Sequence, residues 1–305
     1  MPEHQQNYLE LDRKKNYKVK KLEITTVIGC KVGCSYCPQS TLVKNYKTRG
    51  GIKVLKFVDF KTCINKLDIS TDINFTGYSE PWLNPECTEM VLYAHEKGHR
   101  LGVSTTLEGM TFEDIEKIKH IPFEFFWVHL PSKESYMNLK VDDEYLEKLK
   151  SLIQTEINSQ FHYHGKAVHP KLEQLDENIK EIVLFDRAMN VTDKNDDLPE
   201  NMQKSFIKKG KIACDRIYQN VLLPNGDITL CCMDYGNKHV LGNLLESSVL
   251  EITNSHESKF IKDGLIEEDK DILCRTCHEG YDVDLRAKLH NRFLPKVKSL
   301  LRKSY

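Results

Sequence analysis

Three cysteines crowd one short segment, Cys30-Lys-Val-Gly-Cys34-Ser-Tyr-Cys37. Three thiolates can hold three irons of a [4Fe–4S] cluster and leave the fourth open to bind a ligand and pass it an electron. A zinc site more often shows its cysteines as Cys-x2–4-Cys pairs, here with a fourth ligand elsewhere. The chain has 305 residues and ten cysteines. A disulfide framework belongs to small secreted domains. This chain is long, and it opens on the polar stretch MPEHQQNYLELDRKKNYK, which has no apolar signal region. Its cysteines therefore read as metal ligands or redox groups, and its expected compartment is the cytoplasm.

The elements that must carry this loop are legible from periodicity. Hydrophobic residues make up 40% and charged residues 29%, and the formal net charge is −1. That balance suits a globular protein and points to neither nucleic acid nor an anionic membrane as partner. No apolar run reaches the roughly 18 residues that a membrane span requires. After a polar lead-in over 1–21, short apolar runs alternate with amphipathic segments, the signature of repeated strand–helix units and a parallel sheet. Strands are expected near 22–28, 72–76, 101–105, 124–130, 160–164 and 181–185. Helices are expected at 85–97, 111–119 (opened by a Thr111-x-x-Asp114 cap) and 142–157. Six units over 22–190 predict an α/β partial barrel, because a closed eight-unit barrel needs about 250 residues. A charged, apolar-poor stretch at 191–210 reads as a linker. A smaller unit over 211–280 follows, containing a hairpin at Asn225-Gly226. Residues 281–305 form a basic amphipathic pattern, expected as a terminal helix.

The three-cysteine loop directly follows the first strand and so lies on the active face of a barrel-like sheet. It resembles the motif of the radical S-adenosylmethionine (SAM) superfamily, Cys-x-x-x-Cys-x-aromatic-Cys, with Tyr36 at the aromatic position. The resemblance implies that Cys30, Cys34 and Cys37 hold a [4Fe–4S] cluster whose open iron chelates SAM. Reductive cleavage would then give a radical that abstracts hydrogen from an unactivated carbon, with the electron coming from a donor such as flavodoxin or ferredoxin. Gly77-Tyr78-Ser79-Glu80-Pro81, at the end of the second strand, resembles the family's "GGEP" loop. Glu80 and the backbone of Gly77, Tyr78 and Ser79 would receive the SAM ammonium, although Tyr and Ser stand where a second Gly is common. Ser104-Thr-Thr106 ends the third strand where relatives have Ser-Thr-Asn, so hydroxyl contacts alone carry over. Arg187, in Arg-Ala-Met-Asn190, resembles a stretch whose guanidinium could clamp a carboxylate.

A later set, Cys214, Cys231 and Cys274-Arg-Thr-Cys277, with Gly226 and Leu241-Gly-Asn-Leu244 between, resembles the "twitch" form of the SPASM extension. It implies a second, fully ligated [4Fe–4S] cluster suited to electron transfer. No cysteine follows Cys277, so one auxiliary cluster is expected. A structural zinc on the same four thiolates is the alternative. Cys63 and Cys87 sit in helical stretches and read as buried small residues. Cys232 adjoins a cluster residue and is a candidate hydrogen donor.

His129, His162 and His164 lie near the ends of strands four and five, where alternation puts His162 and His164 on one face. They are candidate hydrogen-bonding or proton-accepting groups. The expected reaction is dehydrogenation of a small polar substrate such as a sugar or amino sugar alcohol, with the auxiliary cluster as electron acceptor. Epimerisation with a thiol donor, peptide modification, and a non-catalytic metal or electron carrier are the alternatives.

Overall fold

The computed structural model describes residues 19–175, 179–182 and 207–283. Residues 191–206 of the linker, Arg187 and residues 284–305 lie outside the described residues; the expected terminal helix does not begin at 281, because Tyr281–Asp282 forms a strand paired with Ile212–Ala213.

Nine strands join in one sheet. The first six are β1 (Lys21–Ile24), β2 (Asp72–Phe75), β3 (Leu101–Thr105), β4 (Phe125–Leu130), β5 (Ser159–Tyr163) and β6 (Lys180–Glu181). They pair in parallel and in chain order. Parallel neighbours need a crossover, and helices α1 (Gln39–Tyr46), α2 (Phe57–Ile64), α3 (Cys87–Glu96), α4 (Phe112–Ile118) and α5 (Asp143–Ile153) lie along these connections. The Thr111–Asp114 capping box opens α4 as its sequence predicts. α1 and α2 fill the stretch between the first two strands, where no helix bounds were expected.

Strand alternation sorts the side chains. Ile73, Phe75, Val103, Phe126 and Val128 pack into the main core with Met90, Val91 and Leu149 from the helices. Each such burial stabilises the fold by about 1.5–3 kcal/mol. The opposite face carries Glu23, Asn74, Ser104, Trp127, His129, Gln160 and His162. A parallel sheet covered by helices on its other face thus keeps a polar inner face.

The expected first strand ends early, at Ile24. Beyond Thr25 the chain leaves the ladder, and Ile28 N–H and Leu55 N–H bond to Lys53 O and Thr26 O instead. The chain then enters the cysteine loop through Gly29, at a left-handed φ of 92°.

The expected hairpin is β8 (Gln219–Leu222) and β9 (Asp227–Thr229), joined antiparallel around Asn225-Gly226. It does not stand apart. β8 lies parallel to β1 in the register Lys21↔Gln219 to Ile24↔Leu222. β10 (Val240–Asn243) then pairs antiparallel with β9 at the sheet's outer edge. α6 (Val249–Thr253) and α7 (His256–Gly264) follow. β7 (Ile212–Ala213) and β11 (Tyr281–Asp282) form a separate two-stranded pair. Among the described residues no helix is long and apolar enough to cross a membrane.

Candidate functional site

The three-cysteine loop is pinned from both sides. Ser35 N–H donates to Tyr136 O (2.8 Å) and Asn138 N–H to Val32 O (2.7 Å), fastening it to the segment after β4. Gln39, at the start of α1, accepts from Cys30 N–H through Oε1 (3.4 Å) and donates through Nε2 to Tyr78 O, joining this loop to the one after β2. Cys30, Cys34 and Cys37 are all half-buried. Burial pushes the Cys34 thiol up to about 12, with Cys37 and Cys30 adding to the rise. Burial also raises Cys30, against backbone N–H groups of Glu80 and Val32 that favour its thiolate. Such a set becomes thiolate when a cation joins it, the linkage expected of metal-binding cysteines. The donor set thus fits an iron–sulfur cluster. Among the described residues no three His, Cys, Asp or Glu side chains converge closely enough to hold a single metal ion.

The loop after β2 fits against β1 through its glycine. A Cβ on Gly77 would stand 2.5 Å from Thr25 Oγ1 and 2.6 Å from Ile24 O, so only glycine allows this approach. Tyr78 N–H donates to Thr25 Oγ1 (3.0 Å) and Val27 N–H to Ser79 Oγ (3.4 Å). Glu80 is buried and accepts from Thr105 Oγ1 (2.6 Å), Thr106 N–H (2.6 Å), Thr106 Oγ1 (2.8 Å) and Trp82 N–H (3.4 Å). Burial raises its carboxyl to about 7 even though these donors pull it down. Thr106 therefore positions Glu80. Tyr78 keeps its carbonyl on the loop but turns its ring away, to donate to Cys231 O (2.7 Å).

The three histidines meet. His129 Nε2 and Ser104 Oγ are 2.8 Å apart. The His129 ring stacks on His164, with centroids 5.8 Å apart and planes at 11°, and lies 6.2 Å from His162. Tyr36 meets His164 edge-on at 4.9 Å, so the cysteine loop's aromatic touches the histidine group directly. Trp127 lies 5.8 Å from His162 and is exposed on the inner face. Burial, and then Lys180 alongside, lower His162 below its ordinary range, which keeps it neutral and able to accept a proton.

The second cysteine set surrounds a cavity of about 310 Å3, counting its open mouth, lined by Cys214, Cys231, Cys274 and Cys277 together with Arg216 and Glu279. Burial pushes Cys214 up to about 11 and Cys274 up to about 12, and raises Cys231 well above its usual range. Four thiols around a shared space, three of them raised by burial, fit a cluster better than separate core packing. Cys231 and Cys232 diverge. Cys231 faces the main core, whereas Cys232 packs in a smaller cluster with Ile28, Leu42, Tyr78 and Tyr235. Arg216 Nη1 donates to Cys232 Sγ (3.4 Å), and Arg216 Nε pairs with Glu279 (2.9 Å). Cys63 and Cys87 are fully buried within α2 and α3.

Gln39, Arg216 and Tyr235 escape sequence reasoning. Gln39 sits two residues after Cys37, yet its double reach needs the packed loops. Arg216 and Tyr235 flank the second cysteine set, and nothing in their spacing marks the groups they meet.

Residues 214–278 match the SPASM family, described as an iron–sulfur cluster-binding domain. With the three-cysteine loop after β1 of a parallel sheet, the chain thus carries the two cysteine arrangements that its resemblance to radical SAM enzymes predicts. The matched domain is a cluster-binding one; SAM and a second [4Fe–4S] cluster are what the resemblance implies for the first cysteine loop.

Several solved structures share the fold. BtrN in complex with AdoMet and 2-DOIA aligns with a TM-score of 0.52 at 18% identity, covering 87% of this chain and 93% of that one. Native anSMEcpe with bound AdoMet aligns at 0.56 and 12%, covering 93% and 100%. Streptococcus suis SuiB bound to precursor peptide SuiA aligns at 0.56 and 12%, covering 88% and 71%. No curated protein matches the chain by sequence.

Proposed function

We propose that this chain is a radical SAM enzyme that oxidises a carbinol carbon of a small polar substrate, such as a sugar or amino sugar alcohol. The observation that carries the reading is the group of three imidazoles on the inner sheet face, in ring contact with Tyr36 of the cysteine loop. Bound to Cys30, Cys34 and Cys37, the cluster with SAM would supply the radical that takes a hydrogen atom from the substrate carbon. Glu80, locked by Thr105 and Thr106, offers a fixed carboxylate to the ammonium of SAM. Ser104 orients His129. His162, kept neutral by burial, can take the hydroxyl proton. One electron then remains to be removed, and the four thiols of the second set would hold a cluster able to accept it. Loss of a hydrogen atom, a proton and an electron leaves a carbonyl, so the step balances. BtrN, which shares the fold, is solved with AdoMet and 2-DOIA, which makes 2-DOIA the first compound to try.

The test uses anaerobically reconstituted protein, an external one-electron donor such as flavodoxin, and a panel of carbinol-deuterated amino sugar alcohols that includes 2-DOIA. The expected result is deuterium in 5′-deoxyadenosine, with one SAM consumed per carbonyl formed. Deuterium uptake from heavy water into an unoxidised product, lost in Cys232→Ala, would instead make the enzyme an epimerase. Turnover of peptides alone would move the substrate class to that seen with SuiB and anSMEcpe. Failure to cleave SAM with any of these would leave a metal or electron carrier.

A further inference from the structure

Two buried tyrosines connect the two cysteine sets. The Sγ of Cys37 lies 3.8 Å from the hydroxyl of Tyr235. The Tyr235 ring packs on Tyr78 with centroids 4.6 Å apart and planes at 57°. The Tyr78 hydroxyl donates to Cys231 O (2.7 Å) and lies 3.2 Å from Thr229 Oγ1. Both rings are buried, Tyr78 at 2% and Tyr235 at 5% exposure. Tyr235 also follows Cys231 by four residues in a tight turn. Asp234 N–H bonds to Cys231 O (2.9 Å), while the Asp234 carboxylate accepts from Lys238 and His239 N–H (2.8 Å each). The loop that supplies a thiol to the second set therefore presents a phenol to the first.

We propose that Tyr235 tunes the reduction potential of the cluster held by Cys30, Cys34 and Cys37, and that Tyr78 is the positioning residue that holds it there. The inference rests on the reading that these three thiolates hold a cluster. An iron-bound Cys37 has no thiol proton, so in the contact between Tyr235 and Cys37 the phenol must be the donor. Hydrogen bonds to cluster sulfurs help set the potential; a donor stabilises the more negative, reduced state and so raises it. Gln39 Nε2 aims a second donor at the same sulfur from 3.7 Å. The buried Tyr78 hydroxyl donates to Cys231 O and so fixes its ring against Tyr235. The affected step is uptake of one electron from an external donor; no bond forms or breaks and both phenols keep their protons. The tyrosine at position 78 is what gives this chain the bridge.

The experiment is a redox titration of reconstituted holoprotein followed by electron paramagnetic resonance, tracking the signal that changes when SAM is added. In Tyr235→Phe that signal should titrate at lower potential. At the poise that half-reduces the wild-type cluster, the oxidised-to-reduced ratio should rise about tenfold, or ~59 mV for one electron. The other cluster serves as the internal reference and should not move. Fluorotyrosine at position 235, a stronger donor, should shift the signal the opposite way, and it carries the test if the phenylalanine variant fails to load iron. Tyr78→Phe should shift the signal downward by a smaller amount; a wild-type value there would overturn the positioning role. An unmoved midpoint with both position-235 replacements would overturn the tuning role. Wild-type protein without any SAM-responsive signal would overturn the underlying cluster reading as well.

Discussion

At the residue scale, the inner-face imidazoles offer a direct check on the proposed chemistry. If His162 takes the substrate proton, His162→Gln should lower turnover by about 10²–10⁴-fold, while SAM binding, measured by calorimetry, stays near wild type. Its titration also has a definite sign. Burial and Lys180 lower the folded-state value below the ordinary 6.5, and His129 and His164 face the same ring group. As pH falls below about 6.5, the unfolded chain takes up the proton more readily than the folded one, so His162 costs stability on the acid side. Urea midpoints measured from pH 7.5 to 5 should fall less steeply in His162→Gln than in wild type; parallel curves would exclude this contribution. Glu80 makes a second test. Glu80→Ala leaves the donors of Thr105 and Thr106 without their acceptor, at about 1–3 kcal/mol for each buried group. Both stability and SAM affinity should drop, whereas a loss of affinity with unchanged stability would mean that the carboxylate meets SAM but does not hold the loop. The cysteines were legible here because spacing alone marks them. The partners of Glu80 were only half legible, since by sequence Thr106 reads as a hydroxyl contact to SAM while its contact with Glu80 depends on β2 and β3 lying side by side.

At the scale of elements, the six parallel strands and three of the helices could be read from periodicity, because strand alternation and helix spacing are local properties. The end of β1 was not. The apolar run Val27-Ile28 continues the strand pattern, but these residues bond across to 53–55, a long-range choice that no window reveals. The same holds for Arg275, which stands between Cys274 and Cys277 and looks like a surface residue. It is buried, donating through Nη1 to Lys208 O (2.8 Å) and Gly210 O (3.1 Å), and through Nη2 to Gly264 O (2.8 Å) and Glu267 O (2.7 Å). The guanidinium thus ties the last carbonyl of α7 and the one at Glu267 to the 208–210 segment and to the pair of cysteines. Arg275→Ala would strand four acceptors, so a destabilisation of about 3 kcal/mol or more is expected. Arg275→Lys should recover only part of it, since one ammonium cannot match the planar fork. The measurement is the denaturant midpoint together with iron retained per chain. Wild-type values for Arg275→Ala would show that these bonds are replaceable by water.

At the scale of the whole molecule, the boundary drawn through the charged stretch at 191–210 divides the sequence but not the sheet. β8 completes the hydrogen-bonding edge of β1, with Thr25 N–H bonding to Leu222 O (2.9 Å) and Lys20 N–H to Tyr218 O (3.2 Å) beyond the ladder itself. Side chains reinforce the join. Arg49 Nε pairs with Asp227 at 2.6 Å, and the Lys66 ammonium reaches the carbonyls of Leu244 (2.6 Å), Leu245 (2.9 Å) and Ser247 (3.2 Å). A chain cut to residues 1–206 would lose all of these partners and expose β1 as an unpaired edge, together with the apolar side chains that β8 and β9 cover. Unpaired, apolar edges promote association. The cut chain should therefore aggregate or hold the first cluster poorly, while the full protein unfolds in one transition by circular dichroism and by release of iron from both sites. Two well-separated transitions, or a soluble 1–206 fragment that loads the first site as fully as the intact protein, would show instead that the two cysteine sets stand on independently folding units. The single sheet favours one unit, because the strand that carries the first cysteine loop has the second unit's hairpin as its neighbour.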